Sequence, residues 1–188
     1  MQALMYFFTA FILFNGIVQN GFGIEYVKVP QKAFVPILSM LLSSLTGWII
    51  VKYLLNPLGF GVFGVFVLFP LSVICSMLVA KIASLLCKEK NLHQFEPALY
   101  SGFYGIAFYG AFQTVIFAQT ALQAILFPLG SAAGFVSVIA ILRGIQKRSE
   151  VEAVPNFIKG QPLLLISTGL ISLIFTELLP MVIHIFAR

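Results

Sequence analysis

The sequence predicts an all-α integral membrane protein whose six transmembrane segments form two inverted three-helix repeats. The chain is 60% hydrophobic and 9% charged, whereas a soluble domain carries about 25% charged residues. Its apolar residues form six runs, each long enough at about 1.5 Å per residue to cross roughly 30 Å of hydrocarbon. Lysine and arginine are concentrated in alternate connections between these runs.

The runs are continuously apolar rather than alternating, which favours a helical bundle over a β-barrel. No linker divides them, so residues 1–188 are expected to form one membrane domain, with repeat one over residues 1–92 and repeat two over residues 93–188. The six predicted segments are Leu4–Phe22, Phe34–Leu55, Val62–Leu86, Pro97–Thr120, Ala121–Leu142 and Pro162–Phe186.

The basic residues predict the orientation of the chain. Nine of the eleven Lys and Arg residues follow segments one, three and five, and the hairpin Arg143–Lys159 holds four of them. Only Lys52 and Arg188 lie on the opposite side. Because short basic connections face the cytoplasm, both termini are expected on the outer side of the inner membrane. The net charge of +5 then belongs to connections at an anionic leaflet, and no nucleic-acid partner is expected.

Segments one and four contain glycines that weaken their helical pattern. Segment one ends in the polar stretch from Asn15 through Gly21 to Gly23, and segment four contains Gly105 and Gly110. Glycine lowers helix propensity by about 1 kcal/mol relative to alanine. Interrupted segments at corresponding positions of two halves are typical of inverted repeats with broken helices at the membrane midplane. These five residues are therefore candidates for a midplane pathway; alternatively, the glycines only allow close helix packing.

The second segments of the two halves support the repeat, since Ser44–Trp48 resembles Ser131–Phe135. Segments one and four are expected to meet near the bilayer centre as half-helices through these glycines, so Gly110→Leu should disrupt their packing or close the midplane path, at a cost of about 1–3 kcal/mol. Gly59→Leu, in an uncharged outer connection, is expected to be tolerated far better.

Two carboxylates and a tyrosine complete the candidate site. Glu177 lies inside segment six, where a carboxylate is costly and by default indicates function; alternatively, it lies near the outer interface and pairs with Lys52. Glu25 is either a connection charge balanced by Lys28 or part of a cavity lining beneath a broken helix. Tyr109 is a further candidate for the lining of a pathway or pocket.

The sequence contains no nucleophile–base pair and no metal-ligand cluster. Cys75 and Cys87 would stand about 18 Å apart on one helix, too far for a disulfide or a shared metal. The chain is therefore not expected to be a self-contained enzyme, and no cofactor is expected within it.

A resemblance to a known family rests on the last third of the chain. The residues that carry it are Gly130–Phe135 (GSAAGF), Leu142–Lys147 (LRGIQK), Val154–Pro155, Lys159–Gly160 and Ile166–Leu173 (ISTGLISL). They resemble the membrane subunits of the Rnf and Nqr ion-translocating electron-transfer complexes, of the RnfA/NqrE kind. The match is good from Ala121 to Phe175 and weaker upstream, where Asn15 and Lys32 also fit.

The resemblance implies six helices in two inverted halves, both termini outside, and assembly with other membrane subunits, including a homologue of inverted topology. In the family, two related subunits use half-helix cysteines to hold a [2Fe–2S] cluster. The corresponding positions here are Glu25 or Tyr26, and Gly110, and none of them is cysteine. Thiolate ligation holds such clusters, so the resemblance implies a structural or ion-pathway subunit without cluster ligands of its own.

Two other functions fit the same composition. One is a small stand-alone transporter, or the substrate-binding membrane component of a vitamin-uptake system, which would need a roomy polar pocket lined by tyrosines such as Tyr100, Tyr104 and Tyr109. The other is a scaffold that transports nothing.

Overall fold

The computed structural model describes residues 2–12, 17, 21, 23–28, 33–86, 103–151, 155 and 157–186, and these residues contain helices and no strands. The all-helical class predicted from the sequence is therefore confirmed over the described part of the chain. The α-helices are α1 (Gln2–Ile12), α2 (Phe34–Ile50), α3 (Gly64–Leu86), α4 (Phe103–Phe117), α5 (Ala121–Val151) and α6 (Gln161–Phe186).

Among the described residues, four helical stretches are long and apolar enough to cross a membrane: Phe34–Leu55, Gly61–Ala83, Ala121–Glu150 and Gln161–Leu178. The first includes α2 and the π-helical turn Val51–Leu55 that follows it. The two shortest α-helices of the described chain, α1 and α4, belong to segments one and four. With 15 residues, α4 is about 22 Å long, which is less than the roughly 30 Å of a hydrocarbon core.

Segment one does not continue as an α-helix to Phe22. Ile17 is still helical, and its carbonyl accepts a hydrogen bond of 2.9 Å from the Gly21 amide. Gly21 and Gly23 then take φ values of 68° and 84°, a left-handed conformation that ends α-helices and that glycine adopts without strain. A short 3₁₀ helix, Ile24–Val27, follows. Asn15 lies outside the described residues.

Segment four behaves differently from the prediction. Helix α4 runs without interruption through Gly105 and Gly110, so the expected break at these two glycines does not occur. A Cβ atom at Gly110 would overlap Met40 of α2 and lie 3.1 Å from the Ser44 hydroxyl oxygen. Gly110 therefore allows α4 to approach α2 closely, which is the packing role of small residues in membrane helices.

Segment five is also longer than predicted, because α5 continues beyond Leu142 to Val151. At about 1.5 Å per residue its 31 residues span about 46 Å, well over the roughly 30 Å of hydrocarbon. The basic residues after Leu142 mark the point where the helix leaves the hydrocarbon, and the helix itself ends later. The predicted basic hairpin is thus helical over its first part.

Two helix pairs have the most extensive contacts, α1 with α5 and α2 with α4, while α3 packs on α2 and α4. Small and hydroxylated residues line these contacts. The Ser43 hydroxyl donates to the Ala107 carbonyl of α4 at 2.8 Å, and those of Ser76 and Thr114 each donate to a carbonyl of their own helix at 2.7 Å. Because a bilayer offers no water to buried polar groups, these bonds are what make the hydroxyls compatible with the interior.

Candidate functional site

The polypeptide that follows α1 forms a turn at the centre of the largest buried cluster. We call it the segment-one turn: Gly21, Gly23 and the 3₁₀ helix Ile24–Val27. Gly23 is buried, and a Cβ atom there would stand 2.7 Å from Phe135 Cζ on α5 and 3.1 Å from Ile106 Cδ1 on α4. Positive φ and this close approach both require glycine, so the turn is fixed against α4 and α5.

The surroundings of the segment-one turn are apolar. Tyr26 and Val27 are buried with relative exposures of 7% and 1%. They belong to one cluster with Ile106, Phe135 and the neighbouring aliphatic residues of α5. The described part of the turn therefore acts as a packing element.

The structure brings some of the predicted site residues together and separates others. The segment-one turn touches α4 at Ile106, directly after Gly105, whereas Gly110 lies one turn further on against α2. Tyr109 is half-buried, and its hydroxyl hydrogen-bonds the Gln113 side chain. The backbone of Glu25 lies in the 3₁₀ helix. Gly21 and Gly23 thus follow the end of α1, while Gly105 and Gly110 lie inside α4, so the two glycine pairs do not occupy matching places.

Glu177 lies on the exposed face of α6, beside Leu173 and Ile174. The Lys52 ammonium, its alternative partner, donates to the Gln119 carbonyl and lies 4.5 Å from the centre of the Trp48 ring, and a pair with Glu177 stays a prediction. Glu177 therefore faces the surroundings of this chain, either lipid or another protein of the membrane.

The end of α4 carries a polar cluster in which the parts of Trp48 and Lys52 were not predicted from the sequence, whereas Gln123 was expected to satisfy free backbone groups. The Trp48 indole Nε1 donates to the Ala118 carbonyl at 2.7 Å, and Lys52, in the π-helical turn that follows α2, donates to the next carbonyl. A cation is favoured there because the carbonyl end of a helix carries partial negative charge. The side-chain oxygen of Gln123 accepts the amides of Gln119 and Thr120 at 2.9 and 3.1 Å. In the sequence, the signal that could have predicted this cluster is the i, i+4 spacing between Trp48, the only Trp, and the isolated Lys52.

Two of the positions at which the resemblance places cluster ligands, Tyr26 and Gly110, lie among the described residues and offer no thiolate. Gly110 has no side chain, and the space beside it is taken by Met40; Tyr26 is buried in the apolar cluster. Cys75 is on α3, where its sulfur lies 3.5 Å from the Thr46 hydroxyl. Among the described residues, no three or more His, Cys, Asp or Glu side chains are grouped to hold a metal.

Comparison with known proteins identifies a distant relative. The chain is 28% identical, over 138 residues, to an ion-translocating oxidoreductase complex subunit from Azoarcus sp. (strain BH72); the match covers 71% of this chain and 69% of the relative. No family model matches the chain. The similarity confirms the resemblance to Rnf/Nqr membrane subunits that the last third of the sequence indicates.

Proposed function

We propose that this chain is an integral membrane subunit of an ion-translocating, redox-driven complex, in which it is a structural or ion-pathway component. The observation that carries the proposal is the similarity to an ion-translocating oxidoreductase subunit over 71% of the chain. The apolar helices, four of them long enough to cross a membrane, agree with that location. The rival function of a stand-alone transporter has no specific observation in its favour, since neither of the two cavities described among these residues is lined by a tyrosine.

The proposal includes two inverted three-helix repeats, α1–α3 and α4–α6. The pairs with the most extensive contacts are α1 with α5 and α2 with α4. In the proposed repeat α1 corresponds to α4 and α2 to α5, so each of these pairs corresponds to the other. Trp48 of α2 binds the end of α4, and Phe135 of α5 packs on Gly23 beyond α1. An experimental structure in which a two-fold axis in the membrane plane superposes the halves would support the repeat, and unrelated helix directions would overturn it.

We further propose that both termini face the outer side of the inner membrane, from the nine-to-two distribution of Lys and Arg. Single cysteines at Arg148 and Leu58, both exposed, are introduced after Cys75 and Cys87 have been replaced by serine. A membrane-impermeant maleimide should label L58C in intact cells and R148C only after permeabilisation. Labelling of R148C alone in intact cells would reverse the orientation.

The proposed assembly is tested by affinity purification from native membranes in mild detergent. We expect a tagged copy at native expression level to retain further membrane subunits, including a homologue of opposite topology, together with flavin and iron–sulfur electron-transfer subunits. A six-helix protein with the same tag is the control for contaminants. If the 20.7 kDa chain migrates alone while a marker complex of the same membrane stays intact, the proposal is wrong.

A further inference from the structure

A groove of about 570 Å³ runs between the beginning of α2 and the last third of α5. Its walls are mostly apolar: Phe34 and Ile37 belong to α2, and Val136, Ile139 and Ala140 belong to α5. Ile139 is buried at its floor, whereas Phe34 and Val136 are 67% and 51% exposed. The groove is therefore open at the protein surface, where a long apolar chain can lie along it.

Two cations stand at one end of this groove. Arg143 and Lys147 both line it and are exposed or half-exposed, and residues four apart on a helix face the same side with about 6 Å between their Cβ atoms. One phosphate group can therefore contact both. Between them, Gly144 leaves open space, since a Cβ atom there would meet nothing within 4 Å.

The depth of the groove in the membrane follows from the length of α5. A helix crosses about 30 Å of hydrocarbon in roughly 20 residues, so α5, which begins at Ala121, leaves the hydrocarbon near Leu142. Val136 and Ala140 then lie at the level of the acyl chains, and Arg143 and Lys147 at the level of the lipid phosphates. Along α5, the apolar wall is thus followed by the two positive charges, in the same order as the acyl chain and the phosphate of a phospholipid.

We propose that this groove binds an anionic phospholipid, with one acyl chain along the apolar wall and the phosphate between Arg143 and Lys147. Basic pockets between membrane helices at the leaflet surface have the chemistry that recognises anionic head groups. The inference does not depend on a redox role, because it rests on the groove, its charges and the position of α5 in the membrane.

The test uses native mass spectrometry of the full-length protein in detergent, titrated with phosphatidylglycerol or with phosphatidylcholine of the same acyl chains. The wild type should bind phosphatidylglycerol about tenfold more tightly, since each Lys or Arg near the phosphate contributes to the attraction. The variant R143Q/K147Q should lose this preference. The matched control R148Q/K159Q removes the same amount of positive charge from exposed residues outside the groove. This variant should keep the preference for phosphatidylglycerol.

A second variant tests the apolar wall. V136W narrows the groove and should weaken the binding of both lipids, whereas I141W, at a residue of α5 with similar exposure (46%) outside the groove, should not. Equal loss of preference in R143Q/K147Q and R148Q/K159Q would mean attraction by general charge and would overturn the proposal. So would capture of another protein, instead of lipid, by a photo-crosslinker at Ala140 in native membranes.

Discussion

Replacing Gly130 by alanine is expected to destabilise the protein by about 1–3 kcal/mol, because it adds an atom where two helices touch without space between them. A Cβ atom at Gly130 of α5 would overlap the Phe7 carbonyl oxygen of α1 and lie 3.1 Å from the Cβ of Ala10. Backbone atoms cannot rotate away as a long side chain can, so α1 and α5 would have to separate. This pair is one of the two most extensive in the described chain.

The matched control is Gly144→Ala on the same helix. Gly144 has open space around the position of a Cβ atom, and alanine favours a helix by about 1 kcal/mol relative to glycine, so this variant should equal or exceed the wild type in stability. Thermal unfolding in detergent, followed by light scattering, compares the two. If both variants unfold at the wild-type temperature, α1 and α5 do not meet at Gly130.

Most of the secondary structure could be predicted from the sequence, because membrane helices need long apolar runs with no exposed backbone polar groups. The prediction Phe34–Leu55 coincides with a membrane-length helix, and α6 begins one residue before its predicted start at Pro162. The predicted end of segment five is too early because hydropathy marks the end of the hydrocarbon, while the charged residues that follow are good helix formers.

The role of each glycine could not be predicted, because it depends on what approaches it. Gly23 has a positive φ, Gly110 contacts α2, and Gly144 has open space where a Cβ atom would stand, yet all three look alike in the sequence. Gly59 shows the same difficulty. Its φ is 77°, so Gly59→Leu would be strained and is unsuitable as the tolerated control for Gly110→Leu. The polar cluster of Trp48 and Lys52 also escaped prediction, since its acceptors lie about 70 residues away.

The second prediction is that the chain, purified alone, holds no iron–sulfur cluster. A [2Fe–2S] cluster needs thiolate or comparable ligands on both irons, and the family's cluster positions here carry Glu25 or Tyr26, and Gly110. Cys75 is buried at the contact of α2 and α3, with its sulfur beside the Thr46 hydroxyl. We expect no cluster to bind at all, because glycine offers no ligand atom in its side chain.

The decisive measurement is the iron and acid-labile sulfide content of the chain after anaerobic purification, with its visible absorption spectrum. We propose that this chain resembles Rnf/Nqr membrane subunits but lacks their cluster ligands, and this predicts no iron above the buffer control, in the wild type as in a variant with Cys75 and Cys87 replaced by serine. Stoichiometric iron and sulfide in the wild type, with the spectrum of a [2Fe–2S] cluster, would contradict it.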